Sequence, residues 1–406
     1  MTAGKIRSVT SANLAGKLVL VRVDHNVTNK DDGTLKNDEK IQATIPTLEL
    51  LLNQGARLIL MTHVGRPKGK PDPKLSTVTV AKHLETLLKG VSVTHIGKTV
   101  GPEVEKAAKA LKNGQILYLE NVRFHPEEEG EPQQQAAFGK QLAALAEAYV
   151  NEAFASCHEY EEASTCAAAR LLPAYAGMYL EKEVSMLGKV LQDPARPLVL
   201  IISGAKMETK IPVIERFLTT GDDILLGGCI ANTFIAAKGF DVGTSKYEPE
   251  SIEKAQEIML ESKKEGCATI HVPRDVIVAT EAVDGAEKLC LPVEDIEGDM
   301  SIFDIGKVTV ERYKACIAKA KTIIWNGPLG LYEINRFSHA SKRIAEAVAE
   351  ATARGAYTVI GGGDTIDFHV RYEHSLDAYS FVSTGGGAML EFIGGRPFPA
   401  IEALKR

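Results

Sequence analysis

No Cys-x-x-Cys pair occurs in the 406 residues, although there are six cysteines: Cys157, Cys166, Cys229, Cys267, Cys290 and Cys316. That excludes a paired-thiol zinc cage and a redox dithiol, and leaves six reduced thiols, several packed as small hydrophobes. No apolar run reaches the roughly 18 residues that a bilayer-spanning helix needs. The opening residues, Met1-Thr-Ala-Gly-Lys-Ile-Arg7, lack an apolar stretch of signal length, so a cytoplasmic location is expected. A large excess of one charge is also missing: the net charge is −6, which gives no reason to expect nucleic acid or an anionic membrane as partner. Any anion site must be built locally. A Gly-x-x-x-x-Gly-Lys-Ser/Thr loop is absent, which excludes a P-loop nucleotide hydrolase. No Gly-x-Gly-x-x-Gly follows the first strand, which weakens a dehydrogenase reading.

What is present is an ordinary globular composition, 45% apolar and 25% charged. A single core rarely grows beyond about 250–300 residues, so the length implies two or three domains. Short apolar runs alternate with helical patterns from end to end. Strands are expected at Leu18–Val23, Arg57–Met61, Val91–Ile96, Ile116–Leu119 and Ala148–Val150. A second series is expected at Leu198–Ile202, Asp223–Leu226, Thr269–Val272, Thr322–Trp325, Tyr357–Ile360 and Ser380–Val382. Ile41, Ile45, Leu48 and Leu52 repeat at helical spacing before Gly55. This alternation argues for βαβ units and mostly parallel sheets, with too many strands for one sheet. The natural division is Gly177–Pro194, where Met178, Leu180, Val184, Leu187 and Leu191 form one stripe of a linker helix.

In open parallel sheets, ligands bind beyond the carboxyl ends of the strands. Nearly every expected strand here ends in a polar or glycine-rich cluster. The first series ends in Asp24-His25-Asn26, Thr62-His63-Val64-Gly65-Arg66, Glu120-Asn121-Val122-Arg123 and Asn151-Glu152. The second ends in Ser203-Gly204-Ala205-Lys206, Gly227-Gly228, Asn326-Gly327-Pro328, Gly361-Gly362-Gly363-Asp364-Thr365 and Ser383-Thr384-Gly385-Gly386-Gly387. Glycine clusters let a ligand approach the backbone, and helix starts present free N–H groups to an anion. Asp364 beside phosphates is a reasonable Mg²⁺ ligand. Lys206 and Lys210, four apart on a helix expected to begin near Gly204, could hold a transferring phosphoryl group. Taken singly, a triple-glycine turn can be a tight connection and a lysine pair a solvated face. Their joint occurrence at successive strand ends favours a nucleotide site.

Seven segments then carry a family resemblance over essentially the whole chain. They are Val21-Arg-Val-Asp-His-Asn26, Met61-Thr-His-Val-Gly-Arg-Pro67, Glu120-Asn-Val-Arg-Phe-His125, Gly204-Ala-Lys-Met-Glu-Thr-Lys-Ile211, Trp325-Asn-Gly-Pro-Leu-Gly330, Ile360-Gly-Gly-Gly-Asp-Thr365 and Val382-Ser-Thr-Gly-Gly-Gly-Ala388. In this order and spacing the chain resembles the phosphoglycerate kinases. The resemblance implies an α/β fold of two Rossmann-like, three-layer αβα lobes with mostly parallel sheets, closing about a hinge. Residues 1–176 would form the acceptor lobe, 177–194 the interdomain helix and 195–392 the nucleotide lobe. Residues 393–406 would form a tail returning to the first lobe. The implied reaction is reversible phosphoryl transfer between 1,3-bisphosphoglycerate and ADP, giving 3-phosphoglycerate and ATP. Mg²⁺ would be the cofactor and the enzyme a monomer. By resemblance, Lys206, Gly227, Gly228, Asn326, Glu333, Gly361, Gly362, Gly363 and Thr365 would contact the nucleotide, and Asp364 the metal. Lys40, Lys210 and Gly386 would act on the transferring group. Asp24, Asn26, His63, Arg66, Arg123 and His158 would bind the acceptor.

The departures fall on the acceptor side. His25 and Thr28 stand where the family has Phe and Pro, and Lys40 replaces a family arginine. Glu152 and Ala155 replace Asp and Gly. The loop His158-Glu159-Tyr160-Glu161-Glu162-Ala163-Ser164-Thr165 is one residue longer than the family pattern, and carries Glu where the family has an acceptor-binding Arg. A carboxylate ~4 Å from a bound phosphate would repel it by about 4 kcal/mol at an effective dielectric of ~20. Three readings stay open at this point: an active phosphoglycerate kinase, a kinase of the same fold with another acceptor, and a nucleotide-binding protein without catalysis.

Overall fold

The computed structural model describes residues 6–30, 33–158 and 161–405. The first sheet contains β1 (Leu18–Val23), β2 (Arg57–Met61), β3 (Val93–Ile96), β4 (Ile116–Leu119), β5 (Ala148–Glu152) and β6 (Ala174–Ala176). Its order is β3-β4-β2-β1-β5-β6 and every pairing is parallel. The second series is β7 (Leu198–Ile202), β8 (Asp223–Leu226), β9 (Thr269–His271), β10 (Asp275–Ala279), β11 (Leu289–Pro292), β12 (Ser301–Ile305), β13 (Thr322–Asn326), β14 (Tyr357–Gly361) and β15 (Phe381–Ser383). Six of these form a parallel sheet in the order β15-β14-β13-β7-β8-β9. Strands β11-β10-β12 form a separate antiparallel sheet.

The strands form where residues can be buried on both faces, as a helix-covered parallel sheet requires. All six residues of β1 are buried. Its Val19, Val21 and Val23 belong to one core with Ile41, Leu48 and Leu51 of the helix Glu39–Asn53. In the second series, Val199, Ile201, Ile323, Trp325 and Ile360 share a core with Tyr313, Ile344 and Phe368 from covering helices.

By contact density the chain divides into two units, one comprising 1–185 with 397–406 and the other 186–396. The division falls inside the helix Met178–Gln192. That helix buries Leu180, Glu183, Leu187 and Val190, whereas Met178, expected on its apolar stripe, is exposed. The antiparallel sheet and the short β6 were not anticipated from the sequence. No helix of the described residues is long and apolar enough to cross a membrane.

Candidate active site

In the second unit, the chain leaves β7 toward β8 on one side and leaves β13 toward β14 on the other. The sheet therefore has its topological switch between β7 and β13, the place where open parallel sheets bind ligands at their carboxyl ends. Lys210 and Asn326 meet there. The Lys210 ammonium donates to Asn326 Oδ1 at 2.9 Å, and Asn326 Nδ2 donates to the Gly361 carbonyl at 2.7 Å. Burial pulls the Lys210 ammonium down to about 8, and the nearby Asp364 carboxylate opposes that shift. Asp364 itself is exposed in the first turn of the helix Gly363–Arg371.

The expected helix at Gly204 is corrected by the structure. The helix runs Ile211–Thr220, and Lys210 is its N-cap residue. Pro212 explains the late start: proline is tolerated in a first turn, but in a helix begun at Gly204 it would break an interior hydrogen bond. Lys206 and Lys210 thus lie on an irregular segment. Lys206 is exposed, and the Lys210 N–H closes a turn onto the Met207 carbonyl. Thr365 also differs from its expected use. Its hydroxyl is buried, donating to the Gly361 carbonyl at 2.9 Å and accepting from the Gly327 N–H at 2.8 Å. It ties the end of β14 to the turn after β13.

The glycines differ in purpose. A Cβ on Gly227 would meet the Leu329 side chain at 2.4 Å, and one on Gly228 would meet Ser203 Oγ at 2.6 Å with φ at +59°. One on Gly362 would meet Asn326 Nδ2 at 2.6 Å, and one on Gly361 the Met389 sulfur at 2.3 Å. These glycines let neighbouring strand ends pack. Gly363 and Gly386 have open space at that position, so their backbones are accessible. Glu333 is exposed on the segment after β13.

In the first unit, the switch lies between β1 and β5. Arg22, the penultimate residue of β1, is 0% exposed. Its guanidinium donates to Ser164 Oγ at 2.9 Å, to the Val23 carbonyl at 2.7 Å and to His63 Nδ1 at 2.8 Å. Arginine only donates, so Nδ1 accepts and the His63 proton sits on Nε2. Burial, with the charges of Arg22, Arg123, Lys40 and Arg66, holds His63 neutral, its pKa far below the ordinary value. Lys40 donates to Asp24 Oδ2 at 2.8 Å, and Asn26 Oδ1 accepts from the Gly65 N–H at 2.9 Å. Arg66 is exposed, and the His158 ring lies beside Phe398, 6.4 Å between centroids.

The acidic loop turns partly inward. Glu162 Oε1 accepts from Arg123 Nη2 at 2.6 Å, and its Oε2 lies 3.6 Å from Arg22. Glu129 takes the same Arg123 nitrogen at 2.9 Å. Glu161 faces away and pairs with Arg170 at the surface. Glu159 lies outside the described residues. A wide π turn at Ala163–Ala167 starts from Glu162 and brings the Ser164 N–H to Glu128, at 3.0 Å. Burial and the Glu162 charge push Glu128 above the ordinary carboxylate range.

The roles of Arg22, Glu128 and Glu152 were not anticipated from the sequence, while pairing of the acidic loop with a nearby arginine was one of the arrangements it left open, and Glu162 makes that pair with Arg123. A lone arginine inside an apolar strand was the available signal, because buried arginines are rare unless paired. Glu152 accepts from Thr47 Oγ1 and from the N–H groups of Tyr179 and Leu180, at 3.1 and 3.0 Å, so it caps the helix Met178–Gln192.

The family model described as phosphoglycerate kinase matches residues 9–396. A phosphoglycerate kinase of Chloroflexus aurantiacus is 44% identical over 400 residues, covering 98% of each chain. One from Moorella thermoacetica is 44% identical over 391 residues, covering 96% of this chain and 97% of its own. The solved phosphoglycerate kinase of Coxiella burnetii superposes with a TM-score of 0.87 at 36% identity, covering 98% of this chain and 99% of its own. That of Pyrococcus horikoshii gives 0.83 at 30% identity, covering 98% of each.

Proposed function

The chain belongs to the phosphoglycerate kinase family, and from that premise we propose how its two units divide the reaction. The reaction is reversible phosphoryl transfer between 1,3-bisphosphoglycerate and ADP, giving 3-phosphoglycerate and ATP. The second unit takes the nucleotide at the β7/β13 crevice, and the first takes the phosphoglycerate at the carboxyl ends of β1, β2 and β4.

Such transfer asks for positioning and charge stabilisation more than for a covalent nucleophile. The observation that carries the assignment is Lys210, a half-buried ammonium fixed at the switch point by Asn326. Desolvation makes that charge more effective on a phosphoryl group than one at the surface. The exposed Lys206 supplements it at the nucleotide phosphates. Backbone N–H groups of Gly361, Gly362, Gly363, Thr365 and Gly386 complete the cradle, with Gly227, Gly228 and Glu333 around the nucleoside.

Asp364 fits a hard divalent cation: it offers one exposed carboxylate at a helix start beside Lys210, and Mg²⁺ takes one or two carboxylates with phosphate oxygens and water. Mg²⁺ held there would neutralise phosphate charge. On the acceptor side, Asp24 and Asn26 address polar groups, while His63 as an Nε2–H donor, Arg66 and Arg123 address the anionic ends. His158 borders this site. Lys40 positions Asp24 and stands ready to pair with the transferring group. Part of the same proposal is a cytoplasmic monomer acting on these small molecules and not on nucleic acid, which sedimentation equilibrium tests for the monomer.

The test is steady-state ATP formation from 1,3-bisphosphoglycerate and ADP. K210A is expected to lower kcat by about 10²–10³, the usual loss for one preorganised transition-state donor. A folded K210A protein with undiminished kcat would refute the role of Lys210, and no turnover by the folded parent chain would refute the reaction.

A further inference from the structure

Asp223, His271 and Cys316 come together at the far edge of the second unit's sheet. Asp223 opens β8 and His271 closes the edge strand β9. The register pairs Asp223 with Thr269 and Leu225 with His271, so alternation puts both side chains on one face. Cys316 comes from the helix Lys307–Lys319. Tyr313, one turn earlier, ties that helix down by hydrogen bonding to the carbonyls of Leu226 and His271, both at 2.7 Å.

The three donor atoms lie within 4.8 Å of one another and are partly accessible. Asp223 Oδ1 is 2.6 Å from His271 Nε2, and Cys316 Sγ is 3.8 Å from the same nitrogen. A nucleophilic relay would need the thiol on one ring nitrogen and the carboxylate on the other. Here both converge on Nε2, so the histidine cannot pass a proton between them. Convergence of carboxylate, imidazole and thiolate on one point is instead the arrangement of a cation site.

We propose that Asp223, His271 and Cys316 form a site for one borderline-soft divalent transition cation, zinc being the expected occupant. Zinc bonds of about 2.0–2.3 Å at tetrahedral angles set ligand atoms roughly 3.3–3.8 Å apart. The His271–Cys316 edge already has that length. The Asp223–His271 edge must open by less than about 1 Å, which a side-chain rotation at the sheet edge supplies. Water would complete the fourth position, the three side chains being only partly buried. Hard cations such as Mg²⁺ prefer oxygen donors and are selected against by the thiolate and imidazole.

The outer shell sets the strength. A ligating histidine usually donates its other N–H to an acceptor, but His271 Nδ1 has Arg312 Nη2 at 3.5 Å. Arg312 must move aside, so R312A should bind the cation more tightly than the parent chain.

Cobalt is the probe, added to the reduced full-length protein with excess Mg²⁺ present to fill hard-cation sites. One equivalent of Co²⁺ is expected to give a near-ultraviolet thiolate-to-metal charge-transfer band, displaced by Zn²⁺. C316S should abolish the band. D223N and H271Q should weaken Zn²⁺ binding at least about tenfold, measured by competition with a chromophoric chelator. C290S, which alters an exposed thiol elsewhere, should bind as the parent does. Absence of the band in the parent chain, or its survival in C316S, overturns the site. Should C316S misfold, unchanged Zn²⁺ affinity in folded D223N and H271Q overturns it equally.

Discussion

Glu162 holds Arg123, one of the cations proposed to bind the acceptor. In the E162Q variant its negative charge is removed while its shape and one acceptor oxygen remain. The parent carboxylate is 2.6 Å from Arg123 and 3.6 Å from Arg22. A phosphoglycerate anion on the open side of Arg123 would sit ~5 Å from it, and two such charges repel by about 3 kcal/mol at an effective dielectric near 20. Salt screening and partial displacement of the loop reduce that figure. The expected outcome is a KM for 3-phosphoglycerate lower by about 10- to 100-fold, since ~1.4 kcal/mol is a factor of ten. The KM for ATP should stay unchanged and kcat should stay within about threefold, because uniform binding alone is altered. The assay is ADP release at varied 3-phosphoglycerate, with a thermal melt as the fold check. If E162Q is folded and its KM for phosphoglycerate rises or stays level, Glu162 is a structural partner of Arg22 and the repulsion argument is wrong.

Three other outcomes follow from buried groups. Burial lowers Lys210 from 10.5 to about 8, so the folded chain carries a charge the unfolded chain holds more easily, and stability climbs with pH across that interval. K210M should therefore be more stable than the parent at pH 7 by about 1 kcal/mol, net of its lost bond to Asn326, in urea denaturation; a less stable K210M would contradict this. His25 is buried, bonded to Tyr118 Oη at 2.8 Å and Thr44 Oγ1 at 2.9 Å, and burial pushes its pKa to about 3. The folded state keeps it neutral, so stability is lost as pH falls below 6.5 toward 3, at about 1.4 kcal/mol per unit. Between pH 6.5 and 5 the parent should lose about 2 kcal/mol more than H25F; equal losses would rule out His25 as a source of acid sensitivity. Finally, a Cβ on Gly177 would lie 2.1 Å from Glu152 Oε2, displacing the cap of the helix Met178–Gln192. G177A should cost about 2–4 kcal/mol, read as a lower thermal midpoint, and an unchanged midpoint would show that the cap moves freely.

The strand ends were legible because a helix-covered parallel strand is mostly apolar, so the polar or glycine-rich cluster after each apolar run marks its end. Asp24, His63, Arg123, Asn326 and Asp364 were singled out that way, and each lies at or just beyond the carboxyl end of a parallel strand. The antiparallel β10–β12 was not: β11 and β12 are partly exposed, Leu289 reaching 46%, and the apolar run Val276–Ala279 of β10, lying between them, was passed over. Lys206 and Lys210 were misplaced onto a helix because their spacing was weighed and Pro212 was not. The direction of Glu162 could not be read at all: it depends on a π turn and on Arg123, 39 positions away in the chain. Glu152 looked like a divergent acceptor residue, and the structure makes it a helix cap.

Residues 397–406 belong to the first unit. Phe398 stacks on Phe154 at 5.8 Å, the Arg7 N–H reaches the Leu404 carbonyl at 3.5 Å, and Leu404 is fully buried. A ribosome therefore delivers the whole of 186–396 before the first unit receives the side chains that cover Phe154. At about 5–20 residues per second the delay is roughly 10–40 s. Through that interval Phe154 lacks the ring that stacks on it in the finished fold, whereas the second unit is continuous in sequence.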